Sequence, residues 1–180
     1  MPKTHNGKEK KREKTLVLLA KFSFTAAALF VFFSVFKTHY LIGIDDQRNP
    51  CLGHHLYFVD LKGIGSTPVK GDAYAFKVRV KPLNGTDTKE IVWAKRLAAS
   101  AGDTVEITKE GALFINGTRV RDSLPLASLL HKKPEEFAMK RTLSGNELFF
   151  LGDTFTSYDS RYWGTVDKTQ LQGKVIGGFF

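Results

Sequence analysis

The stretch IVWAKRLAASAGDTVEITKEGALFINGTRVRD, residues 91–122, decides what kind of fold this chain makes. Its apolar residues do not hold a helical period. They fall in short runs (IVWAKRLAA, TVEIT, ALFI and TRVRD) separated by Gly, Ser, Asp and Asn, which is the pattern of strands. Asn116-Gly117, between ALFI and TRVR, is a strong two-residue hairpin signal.

HLYFVDL (55–61), AYAFKVRV (73–80) and ELFFLGD (147–153), on either side of this stretch, read the same way. The segment from Ser123 to Lys140, with Pro125, Pro134 and paired Lys and Glu, is an excursion from the strands and the one place where a helical turn is expected. There is no internal repeat, and 180 residues suit a single folded domain. The predicted fold class is mainly β, preceded by one apolar helix.

That helix is TLVLLAKFSFTAAALFVFFSVF, residues 15–36, long enough to cross a hydrocarbon core of about 30 Å. Lys21 is its only charge and lies near the basic end, where it can snorkel. A cleaved signal peptide is the competing reading. The run exceeds a usual h-region of roughly 7–15 residues, and FKTHYLIG offers no small-x-small cleavage site, so an uncleaved anchor is favoured. Residues 1–14 carry six Lys or Arg against two Glu, which places the N-terminus in the cytoplasm and everything after His39 across the membrane. In a bacterium this is an inner-membrane protein with a periplasmic domain, residues 37–180.

The same placement accounts for much of the net charge of +9. The basic tail is explained by topology and by contact with membrane lipid, and the remaining cations are scattered among acidic residues. No nucleic-acid partner is expected.

The single cysteine, Cys51, can form no intrachain disulfide and is therefore either a buried small side chain or a thiol kept for reactivity. Its spacing to His54 and His55 matches no zinc pattern, and no metal or cofactor is expected.

The most specific motif is the loop LGDTFTSYDSRYWG, residues 151–164. Gly152-Asp153, then Ser157, Asp159, Ser160, Arg161 and Gly164, resemble the last box of the type I signal peptidases, GD followed by S-x-D-S-R-x-x-G. Lys95-Arg96-Leu97 through Gly102-Asp103 resembles a second box of that family, K-R-[VIL]-x-[GA]-x-x-G-D, and Val69-Lys70-Gly71-Asp72 resembles a weaker third. The resemblance spans about residues 15 to 178 and implies a membrane-anchored β domain that cleaves signal-bearing precursors. The early chain end and short insertions look more like the conjugative-transfer branch, the TraF-type peptidases that mature pilins.

The resemblance makes Lys95 the general base. A lysine must be neutral to accept a proton, and apolar walls disfavour its charged form; IVWA before it and Leu97-Ala98-Ala99 after it supply such walls. The nucleophile departs from the family. Aligning Leu56-Tyr57 with the Leu-Tyr of the TraF-type pattern S-x-P-x-G-L-Y puts Cys51 at the serine position and Gly53 where proline is usual. A thiol can do the work of the hydroxyl, being the stronger nucleophile with the lower intrinsic pKa. Ser66, in Ser66-Thr67-Pro68, is the rival, but too few residues separate it from Gly71-Asp72 for the intervening strand. Asn49 either supplies an amide donor to an oxyanion hole or starts a turn with Pro50. By resemblance Asp159 is the family's aspartate, expected to pair with Arg161 or to position Ser157 and Ser160 beside Lys95. The alternative from a different class is an inactive pilus or secretion assembly factor that binds pilin in the same groove.

Overall fold

The computed structural model describes residues 5–45, 50–65, 67–83, 85 and 87–179. The chain divides into two units, Met1–His39 and Tyr40–Phe180.

The first unit is one helix, α1 (His5–His39), which continues through the basic tail and ends after Lys37 and His39 in its last turn. Its apolar residues point in all directions and are exposed, among them Leu18, Phe22, Phe24 and Phe30. The segment Lys10–His39 is long and apolar enough to cross a membrane.

The second unit is built from β1 (Tyr40–Ile44), β2 (Leu56–Asp60), β3 (Ala73–Val80), β4 (Lys89–Ala99), β5 (Thr104–Ile107), β6 (Leu113–Ile115), β7 (Thr118–Arg121), β8 (Met139–Thr142), β9 (Glu147–Leu151), the one-turn helix α2 (Ser160–Trp163), β10 (Val166–Asp167) and β11 (Leu171–Phe179). The strands form a seven-stranded sheet, order β1-β2-β11-β3-β4-β9-β10, and a four-stranded sheet, order β7-β6-β5-β8. Neighbours in both are antiparallel.

Two cores share two strands, β9 and β4. Successive side chains of a strand point to opposite faces. In β9, Leu148 and Phe150 accordingly enter a core with Tyr74, Phe76, Val78 and Leu97, while Phe149 and Leu151 enter a second core with Val105, Ile107, Leu113 and Leu143. This is why ELFFL is apolar at consecutive positions. β4 achieves the same by a different device: its register against β9 shifts between Leu97 and Ala99. The extra residue turns Ala99 to the second core although Leu97 faces the first. Phe76 and Phe150 stack with centroids 4.4 Å apart at the centre of the first core, and burying a side chain of that size contributes about 1.5–3 kcal/mol.

The hairpin signal is realised: Asn116 and Gly117 have φ of 50° and 79° and join β6 to β7, the conformation a two-residue type I′ turn demands. Some strands were not legible in the sequence. β1, β8 and β11 carry Gly43, charged Lys140 and Arg141, or Gly173, Gly177 and Gly178, which weaken the local signal. The excursion holds two 3-10 turns, Ser128–Leu130 and Pro134–Phe137, but it is not the only helical region, because α2 and a turn at Lys168–Gln170 lie elsewhere. Asp159 starts α2 as its N-cap by accepting the Arg161 N–H.

Candidate active site

β4 carries Lys95 into the interior. With Trp93 it occupies one face of the strand, and Lys95 is only 1% exposed although it bears an amine. Its Nζ lies 5.4 Å from the Trp93 ring centroid. Cys51, 5% exposed, sits in a turn closed by the Gly53 N–H donating to Pro50 O. Gly53 has φ of +75°. Proline, confined near −65°, cannot adopt that angle, whereas glycine takes it without strain.

The turn is held from both sides. The Asp153 N–H donates to Cys51 O at 2.7 Å, and the Cys51 N–H donates to Asp45 Oδ2 at 3.0 Å. This brings Cys51 Sγ to 3.0 Å from Lys95 Nζ, which also donates to Ser157 Oγ at 2.9 Å; Ser157 Oγ is 3.7 Å from the sulfur. Thiol, amine and hydroxyl thus form one buried cluster. Among the described residues no carboxylate hydrogen-bonds Lys95, so its partners are groups with which it can exchange a proton.

Asp159 and Arg161 form a fully buried ion pair directly behind this cluster. Arg161 Nε and Nη2 donate to the Asp159 carboxylate at 2.7 and 2.9 Å, and both side chains have no exposure. Burial works against the guanidinium charge, but the Asp159 carboxylate outweighs it and raises the Arg161 pKa above its ordinary value. Arg161 Nη2 also donates to Ser157 O at 3.1 Å, and the Gly152 N–H donates to Asp159 Oδ2 at 3.2 Å. Asp159 therefore meets Lys95 through Arg161 and Ser157, not directly. Ser160 is turned away: its Oγ accepts the Phe150 N–H at 2.9 Å. Asn49 and Ser66 lie outside the described residues.

Two clefts meet at Cys51 and Lys95. One, of about 260 Å³, is walled by Leu41, Asp45, Tyr57 and Val59 against Ile91 and Trp93. The other, of about 300 Å³, lies towards Pro82, Leu83 and Tyr158. The backbone beside them is open. β3 pairs the whole of Lys89–Arg96 on one edge, whereas β9 reaches only Arg96, Leu97 and Ala99 on the other. Among the described residues the second edge of Lys89–Lys95 has no partner strand, and such an edge can accept an extended peptide.

Sequence reasoning missed Asp45, Tyr57, Tyr158 and the Arg96–Asp153 pair, bonded at 2.7 and 2.9 Å. All of these except Asp45 fall within the motifs quoted from the sequence, which gave them no role at the site. Asp45 and Tyr57 come to the site through the pairing of β1 with β2, which no local pattern encodes.

With this geometry in place, comparison with known proteins identifies the class. Residues 15–180 match the family described as signal peptidase, peptidase S26, and the chain belongs to that family of peptidases, which act on signal-bearing precursors. The crystal structure of a signal peptidase I from Enterococcus faecalis V583 is similar, with 28% identity over 61% of this chain and 97% of that one, at a TM-score of 0.36. No curated protein sequence matches the chain.

Proposed function

We propose that this peptidase is anchored by residues 15–36, with its basic tail 1–14 in the cytoplasm and residues 37–180 in the periplasm of a bacterial inner membrane. There it removes the leader of a secreted or membrane-inserted precursor, a conjugative pilin on the TraF-type resemblance. Cys51 is the nucleophile and Lys95 the base. The observation that carries this reading is the buried contact of 3.0 Å between Lys95 Nζ and Cys51 Sγ.

The precursor lies along the open edge of Lys89–Lys95 as an added strand, which presents its scissile carbonyl to Cys51. Lys95 takes the thiol proton as sulfur attacks, and the tetrahedral intermediate collapses to a thioester when Lys95 returns that proton to the leaving amine. Water, deprotonated by the same amine, then cleaves the thioester and regenerates the thiol. Ser157 holds the lysine amine in line through its hydroxyl, and the Asp159–Arg161 pair holds Ser157.

The test is precursor processing in cells expressing the full-length chain. Cys51→Ala and Lys95→Ala should abolish it and Cys51→Ser should retain a fraction, while alkylation with iodoacetamide should inactivate the wild type. Processing that survives Cys51→Ala but is lost in Ser66→Ala would transfer the nucleophile to Ser66. Undiminished processing in Lys95→Ala would remove the enzyme mechanism altogether.

A further inference from the structure

Asp45 directly follows β1 and lines the same cleft as Cys51 and Lys95. Its backbone is fixed by His55: the Asp45 N–H donates to His55 O at 2.8 Å, and His55 Nδ1 lies 2.8 Å from Asp45 O. The Asp45 side chain accepts the Cys51 backbone N–H at 3.0 Å.

This N–H has a particular place in acyl transfer. When a side-chain nucleophile attacks a carbonyl, the oxygen gains negative charge beside the backbone of the nucleophilic residue, and a backbone N–H there stabilises it. In the free protein a carboxylate oxygen already occupies that donor. We propose that Asp45 is a built-in occupant of the oxyanion position, capping the Cys51 N–H at rest and yielding that donor when a substrate carbonyl enters. The proposal rests on Cys51 being the nucleophile. Its consequence is selectivity: a carbonyl compound too small to fill the cleft must displace the carboxylate unaided, so the thiol is guarded against adventitious acylation.

Two reagents separate this role from a merely structural one. p-Nitrophenyl acetate acylates a thiol through a tetrahedral oxyanion: the S–C bond forms, the ester C–O bond breaks, and p-nitrophenolate leaves with the electron pair. Iodoacetamide alkylates the same sulfur by displacing iodide and develops no oxyanion. Both rates are measured on the full chain in detergent micelles for the wild type, Asp45→Ala and the near-isosteric Asp45→Asn, with Cys51→Ala as background. Because one charge-assisted hydrogen bond no longer has to be displaced, acylation should rise about tenfold in Asp45→Ala and move the same way in Asp45→Asn, while alkylation changes by less than about threefold. If the two rates move in parallel, Asp45 acts on the thiol's charge alone and the proposal fails. If acylation falls in both variants, Asp45 merely supports the turn, and the proposal fails too. Precursor processing by Cys51→Ala, run alongside, distinguishes the two levels: activity there would overturn the nucleophile and the Asp45 role together, whereas its loss with no gain in the Asp45 variants would overturn the Asp45 role only.

Discussion

Asp159→Ala should be among the most damaging single substitutions in the β domain, and its cost follows from burial. Asp159 and Arg161 are both without exposure, and the carboxylate accepts from Arg161 Nε, Nη2 and backbone N–H and from the Gly152 N–H. Truncating it strands a buried guanidinium whose Nη1 already lacks a hydrogen-bond partner among the described residues. Breaking a buried pair from one side costs about 3–5 kcal/mol, against a typical domain stability of about 5–15 kcal/mol. For a domain of this size that is a fall in Tm of roughly 10–20 °C. Both tryptophans, Trp93 and Trp163, pack against the first core, so intrinsic fluorescence during heating reports this domain and not the helix. Replacing the pair together, Asp159→Leu with Arg161→Met, should recover much of the stability, since no charge is left buried. Processing should not recover, because Arg161 no longer holds Ser157 against Lys95; in Asp159→Ala turnover should fall more than KM rises. A Tm shift below about 3 °C for Asp159→Ala would show that the buried charge is relieved in some other way and refute the argument.

Gly152→Ala should disable the site by crowding. An added Cβ would overlap Ser157 Oγ, come within 2.5 Å of Ser157 Cβ and lie 3.2 Å from Cys51 O, so a loss of about 1–3 kcal/mol is expected. Adding Ser157→Gly should restore thermal stability but not processing; an active Gly152→Ala enzyme would show that the close approach is dispensable. Asp103 supplies an acid-sensitive element: burial pushes its pKa up, but Lys70, the Ser100 N–H and Asn116 prevail and hold it below the ordinary value. Its stabilisation is therefore complete above the unfolded-state value near 3.9 and lost as pH falls through the lower folded value. The Tm difference between wild type and Asp103→Asn should be constant from pH 7 to about pH 5 and shrink below about pH 4; a difference that grows in acid would reverse the sign of the argument.

Much of the secondary structure, and most of the residues that gather at the candidate site, are legible in the sequence. Period-2 alternation in AYAFKVRV, the Asn116-Gly117 turn and the apolar run 15–36 are local signals, set by side-chain direction, positive φ and hydrophobic length, and they need no partner to be read. Lys95, Ser157, Asp159 and Arg161 were legible because their motifs are contiguous. Tertiary structure alone decided what those residues touch. It put Asp159 behind Ser157 and not against Lys95, turned Ser160 to the Phe150 backbone, and seated Cys51 between Asp45 and Asp153. The contacts of Cys51 with Asp153 and Lys95 join segments far apart in the chain, held together by strand pairing. Pairing energy of that kind resides in two segments at once, so neither segment displays it alone.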